Sequence, residues 1–222
     1  MKPFFIGVAG GSGSGKSTVT DHIVSAIGYD KVSVINQDCY YKNLSHISFE
    51  ERCLRNMDHP DSFDWELLFD HIESLASGMP IDMPGYDFTT HTRKSTTTTI
   101  LPTKVMIIEG LFPLYDEKLA KKMALRIFVD TAADICLMRR LKRDIAERGR
   151  SLDSVLTQYH KFVRPMYRKF IEPTKRRAHI IIPHGSNKAA LEMIVSRIHS
   201  VLNGHQFFTD KELFFEDDEF GI

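Results

Sequence analysis

The chain has 222 residues, 42% of them hydrophobic, with 29 Lys and Arg against 29 Asp and Glu. That length suits one large α/β domain with a substantial core and excludes two full domains, and the even charge balance removes the electrostatic argument for a nucleic-acid or anionic-membrane partner. Its three cysteines, Cys39, Cys53 and Cys136, are odd in number and lack the paired spacing of a zinc site, so they read as reduced thiols with no structural disulfide.

Phe4 to Ala9 is an apolar run that reads as a buried strand. It is too short for a signal peptide, and no stretch approaches transmembrane length, so a soluble, cytoplasmic protein is expected. The next residues are "GGSGSGKST": Gly10, Gly11, Ser12, Gly13, Ser14, Gly15, Lys16, Ser17 and Thr18. Gly10 and Gly15 bracket four residues ahead of Lys16 and Ser17, which is the G-x-x-x-x-G-K-[ST] pattern of a P-loop. From Lys16, the residues Val19, Ile23, Val24 and Ile27 recur at helical spacing until Gly28 stops them. Strand, glycine loop and helix N-terminus together make an anion site: loop N–H groups turn inward, Lys16 adds a full charge, and the Ser17 hydroxyl can ligate magnesium. A flexible Gly/Ser linker would give no reason for Lys-Ser-Thr at that place.

Val32 to Ile35 is a second strand, followed by "NQDCYYK". Asp38 in this stretch can be a turn residue, or the carboxylate that accepts a hydroxyl proton as a phosphoryl group moves. Ser48 and Glu51 form a capping box for a short helix, and Trp65, Leu68, Ile72 and Leu75 mark a second helix face closed by Gly78. Residues 80–100, with two prolines and Gly85 near the start and the β-favouring "STTTT" near the end, are expected to fold over the sheet as a substrate-covering loop or hairpin. Val105 to Ile108 is a strand ending at Glu109, the place where a P-loop protein holds the acid that organises magnesium. Leu125 to Val129 is the next strand, with Asp130 and Thr131 expected to serve the start of a long helix whose buried side carries Ile135, Met138, Leu141 and Ile145. Gly149 ends that helix and Ser151 caps the next.

Between Arg139 and Arg150 lie six basic residues against two acidic ones. Arginines on a helix are usually solvated, but Arg139, Arg140 and Arg143, with Arg148 and Arg150 flanking a glycine, suit a lid that closes on phosphates. Ile180 to Ile182 supplies the last strand. Strands alternating with helices imply a mainly parallel sheet flanked by helices, with ligands beyond the strands' carboxyl ends, where Asp38, Glu109 and Asp130 all fall. The domain is expected to span 1–203, leaving an acidic and aromatic tail over 204–222.

The segments "GGSGSGKST", "NQDCYYK", "MDHPDSFD", "YDFTTHTR", "IIEG", "FVDTAADICLMRRLKRDIAERGRS" and "QYHKFVRPMYRKFIEPTK" occur in the order expected of the uridine kinase, or uridine-cytidine kinase, family. The chain resembles that family from about Phe4 to Leu202. The resemblance implies a P-loop kinase fold with a β-hairpin over the nucleoside and an arginine-rich lid. It also implies transfer of a phosphoryl group from ATP or GTP, with Mg2+, to the 5′-hydroxyl of uridine or cytidine. A homotetramer and feedback binding of CTP or UTP are further implications.

By the same resemblance Asp38 is the base. Asp58 and Arg140 hold the ribose hydroxyls, Tyr86 and His91 face the pyrimidine edge, and Tyr41, Arg150 and Gln158 line the pocket. Arg143 and Arg148 are lid arginines, while Lys16, Ser17 and Glu109 serve the donor phosphates and magnesium. Met57 departs from the pattern, standing where relatives often have an aromatic residue, and Asn203 to Ile222 has no counterpart in it. Phosphoribulokinase- or pantothenate-kinase-like enzymes are the near alternatives, but are expected to lack "DHPDSFD" and "YDFTTHTR". A GTP switch is disfavoured by the absence of an Asn-Lys-x-Asp motif, and a nucleic-acid-binding ATPase by the neutral charge.

Overall fold

The computed structural model describes residues 3–183 and 187–205. Most of the proposed tail, residues 206–222, lies outside the described residues. In chain order the strands are β1 (Phe4–Gly10), β2 (Val32–Asn36), β3 (Ile81–Asp87), β4 (Thr92–Ile100), β5 (Val105–Gly110), β6 (Met123–Asp130) and β7 (Ile180–Pro183). Five of them form a parallel sheet in the order β2-β5-β1-β6-β7, and β3 and β4 pair separately as an antiparallel hairpin.

The period-two alternation of the apolar strands divides the interior into two cores. Phe5 and Ala9 of β1, with Met106 and Ile108 of β5, face one side; Ile6 and Val8, with Val105 and Ile107, face the other. A register shift between Phe5 and Ile6 along β6 lets Met123 join the first core while Leu125, Ile127 and Val129 join the second. The helix α1 (Lys16–Ile27) and the last described helix, Lys188–Leu202, cover the second face, through Val19, Ile23, Val24 and Ile27 from one and Leu191, Ile194 and Ile198 from the other. Each such buried side chain contributes about 1.5–3 kcal/mol relative to exposure.

The opposite face is covered by α3 (Trp65–Ala76), which buries Leu68, Ile72 and Leu75 as its spacing predicts. Asp64 caps it, accepting from the Leu67 amide at 3.2 Å, and Gly78, at φ 83, ends it. The capping box at α2 (Phe49–Cys53) is present, with Glu51 N–H to Ser48 Oγ at 3.2 Å and Ser48 N–H to Glu51 Oε2 at 3.0 Å. Then come α4 (Glu117–Lys121), α5 (Ala133–Ala146) and α6 (Leu152–Gln158), the last capped by Ser151 through the Ser154 amide. Two π-helical stretches, Tyr159–Val163 and Tyr167–Ile171, flank α7 (Arg164–Met166) before Lys188–Leu202, which is α8.

Three expectations around α5 are corrected. Its buried residues are Cys136, Arg140 and Asp144, whereas Met138 and Ile145 are exposed, because the face turned inward meets the glycine loop and a polar cavity instead of an apolar core. Thr131 does not cap the helix; its hydroxyl donates to the Ser14 carbonyl at 2.7 Å, and Ala132 occupies the cap position without a side-chain bond. Asp130 pairs with Lys175 at 2.7 Å instead of serving the helix start.

Candidate active site

The carboxyl ends of β1, β2 and β5 converge on one cavity of about 260 Å³. The loop between β1 and α1 forms its floor. Gly13 has φ 80, and a Cβ there would run into the Cys136 carbonyl, so the backbone conformation and the space both require glycine. Ser12, Gly13, Gly15, Lys16, Ser17 and Thr18 line the cavity. Gly10, Gly11 and Ser14 do not. Gly11 packs under Tyr167, and Ser14 is buried with its amide donating to the Gly11 carbonyl at 3.1 Å, so it braces the loop from below.

Lys16 Nζ donates to the Gly11 carbonyl at 3.0 Å, which folds the ammonium over the loop. Burial lowers its pKa, and the nearby Glu109 and Asp38 carboxylates oppose that shift. Ser17 Oγ donates to Glu109 Oε1 at 2.8 Å. Burial raises the Glu109 pKa against the opposing effect of Lys16 and of the Ser17 bond. A hydroxyl and a carboxylate side by side are hard oxygen donors. Two protein oxygens of this kind fit magnesium, which keeps most of its shell for water and phosphate.

On the other wall stand Asp38, Tyr41, Asp58, Tyr86 and His91. Asn36 Oδ1 accepts from the Asp38 amide at 2.9 Å and fixes the turn after β2, leaving Asp38 Oδ1 buried without a protein hydrogen bond. Asp58 is held by a similar turn, its amide donating to Asn56 Oδ1 at 3.1 Å. Burial raises its pKa, with Arg140 pulling the other way. Tyr41 packs between Phe63 and Tyr86, at ring separations of 4.3 and 5.0 Å. The Tyr86 hydroxyl is buried with no partner, and burial also raises its pKa. Both Tyr86 and His91 come from the hairpin. His91, at φ 53, is the one non-glycine residue with positive φ among the described residues, a strained geometry that the tight β3–β4 connection imposes. Burial, followed by Arg150, Arg148 and Arg52, lowers its pKa, which favours a neutral imidazole.

The third wall is the inner face of α5 and the turn after it. Arg140 donates to Ser12 Oγ at 2.8 Å and to Gln158 Oε1 at 2.7 Å, and Arg150 also donates to Gln158 Oε1. Arg143 Nη2 reaches Ser12 Oγ at 3.4 Å. The Arg148 guanidinium lies 4.1 Å from the centre of the Phe88 ring. Every acceptor-side residue expected from the sequence therefore lines this one cavity, as do Arg140, Arg143, Arg148, Arg150 and Gln158.

Sequence reasoning missed Phe88 and Leu111, which also line the cavity; Arg139, expected only as one of the lid arginines, lines it too and reaches the Ser14 carbonyl at 3.3 Å. The largest omission is Asp144. It stands among the arginines of α5 and is fully buried. Its i,i+4 spacing to both Arg140 and Arg148 was the available signal.

A phosphate loop and a carboxylate- and aromatic-lined wall share this one cavity, an arrangement that fits a P-loop kinase acting on an alcohol. The chain belongs to the Phosphoribulokinase / Uridine kinase family, whose sequence model matches residues 5–190. It is 53% identical over 203 residues to a uridine kinase of Deinococcus deserti, covering 91% of this chain and 98% of that protein. A uridine kinase of Streptococcus gordonii is 50% identical over 202 residues, covering 90% of this chain and 96% of that one. Among solved structures, phosphoribulokinase from Rhodobacter spheroides superposes with a TM-score of 0.61 at 16% identity, covering 82% of this chain and 70% of that one, a likeness of fold alone.

Proposed function

We propose that this kinase transfers the γ-phosphoryl group of ATP or GTP to the 5′-hydroxyl of uridine or cytidine, giving UMP or CMP. The observation that carries the reading is Asp38: an unpartnered buried carboxylate oxygen in the same cavity as Lys16 and Ser17 on one side and Asp58, Tyr86 and His91 on the other. The identity to proteins named uridine kinase supports the choice of acceptor.

In this reading Asp38 takes the hydroxyl proton as the new O–P bond forms and the bond from the γ-phosphorus to its bridging oxygen breaks. The glycine-loop amides and Lys16 hold the donor phosphates, and Arg143 and Arg148 stabilise charge on the transferring group. Ser17 and Glu109 would hold magnesium, whose charge would offset that of those phosphates. Asp58 accepts hydrogen bonds from the ribose hydroxyls with Arg140 beside it. Tyr86 and His91 face the pyrimidine edge, and Tyr41, Arg150 and Gln158 complete the chamber. CTP or UTP as feedback ligands spanning both halves of the cavity, a homotetramer and a cytoplasmic location belong to the same reading; among the described residues no helix is long and apolar enough to cross a membrane.

The test is a phosphoryl-transfer assay with Mg-ATP and Mg-GTP against uridine, cytidine, ribulose 5-phosphate and pantothenate, with products separated by chromatography. UMP and CMP are the expected products. Turnover of ribulose 5-phosphate or pantothenate with none of uridine would discard the assignment. Competition by CTP against uridine and sedimentation velocity test the feedback and assembly parts.

A further inference from the structure

One carboxylate is buried among the arginines of the third wall. Asp144 has no exposed surface, and its Oδ1 accepts from Arg143 Nε at 2.9 Å, pairs with Arg143 Nη2 at 2.8 Å and lies 3.3 Å from Arg148 Nη1. Its Oδ2 stands 3.4 Å from Arg140 Nε, and neither atom has a hydrogen-bond partner. Its backbone carbonyl accepts from the Arg150 amide at 3.1 Å, which fixes the turn around Gly149. A single negative charge thus gathers three guanidinium groups that would otherwise repel one another, and binds the main chain of a fourth arginine.

We infer that Asp144 is a positioning residue: it presets Arg143 and Arg148 toward the transferring phosphoryl group before any nucleotide is bound. The inference rests on the phosphoryl-transfer reading given above. One carboxylate against three guanidiniums leaves the cluster cationic, so attraction for phosphate survives while the geometry is fixed. Buried, charge-assisted pairs lose heavily when one partner is removed, because the remaining charge keeps no compensation. Preset donors stabilise a transition state better than donors that must be collected during reaction. The Phe88 ring over Arg148 braces the same guanidinium from the hairpin side.

The test compares wild type, Asp144→Asn, the Arg143→Gln/Arg148→Gln pair and the triple variant, by kcat and by KM for Mg-ATP and for uridine. Asp144→Asn is isosteric and is expected to lower kcat by roughly 10- to 100-fold, the scale of a charge-assisted contact, while the uridine KM stays within a few-fold. Added to the arginine pair, it is expected to cause no further loss, because the groups it positions are gone. An equal loss in both backgrounds would show that Asp144 acts by general structural support and would overturn the inference. If the arginine pair lowers turnover and Asp144→Asn does not, the inference alone falls. If the arginine pair leaves turnover intact, the phosphate role of the lid falls, and the positioning role with it. Should Asp144→Asn not fold, Asp144→Glu, which keeps the charge and misplaces it, takes its position in the same comparison.

Discussion

Replacing Asp58 by alanine should separate sugar recognition from support of the pocket. The side chain is 6% exposed, and among the described residues no group donates a hydrogen bond to its carboxylate, so in the proposed reading the hydroxyls of a ribose would supply what its oxygens lack. A hydrogen bond to a charged acceptor is worth about 1.5–3 kcal/mol. Uridine offers two hydroxyls and stands to lose both bonds, roughly 10²- to 10⁴-fold in kcat/KM, whereas deoxyuridine has one to lose, roughly 10- to 10²-fold. The uridine-to-deoxyuridine ratio should therefore shrink by about 10- to 100-fold, read from initial rates of ADP release with each nucleoside. Equal losses would refute the assignment of Asp58 to the sugar.

The raised pKa of Asp58 gives a second readout of the same residue. Between the ordinary aspartate value and the raised one, the folded protein holds more protons than the unfolded chain, so stability falls as pH rises through that window and the cost persists above it. Asp58→Asn should consequently raise the melting temperature at neutral pH without nucleoside, while uridine turnover drops. A lower melting temperature would mean that the Arg140 attraction outweighs the burial.

Asp38→Asn should lower kcat by roughly 10²-fold or more and leave the uridine KM within a few-fold, measured in the same assay; near-normal kcat would remove Asp38 as the base. Gly13→Ala combines a positive φ, costing about 1–3 kcal/mol, with a collision at the Cys136 carbonyl. It should abolish the thermal stabilisation that Mg-ATP gives the wild type, and an unchanged shift with ATP would contradict the role of the loop as a fitted phosphate cradle.

The five strands of the parallel sheet were legible because each is a short apolar run between glycines or polar turns, and Ile6, Val8, Ile107 and Ile127 then had a second face to fill. The glycine loop was legible because Gly13 and Gly15 occupy backbone conformations that other residues resist. Helix α5 was misread for a physical reason. Ile135, Met138, Leu141 and Ile145 have the period of a buried stripe, but the neighbour on the inner side is the polar loop, so Arg140 and Asp144 turn inward and Met138 remains 57% exposed. Pattern alone does not say what lies opposite a helix. For the same reason the i,i+4 spacing of Asp144 to Arg140 and Arg148 did not by itself mark it as a site residue: its burial depends on what the inner face of the helix and the Gly149 turn meet together.

The contact between Phe88 and Arg148 joins a ring from the hairpin to a guanidinium from the turn after α5, and both line the one cavity. In the proposed reading, a nucleoside that shifted the ring would shift the cation resting on it, so occupancy of one half of the cavity would be felt in the other. Thermodynamic linkage makes that communication symmetrical: whatever factor the nucleoside applies to donor affinity, the donor applies to nucleoside affinity. The order in which the two substrates arrive then sets which of them meets the weaker site, and cannot change the free energy of the complex they both reach.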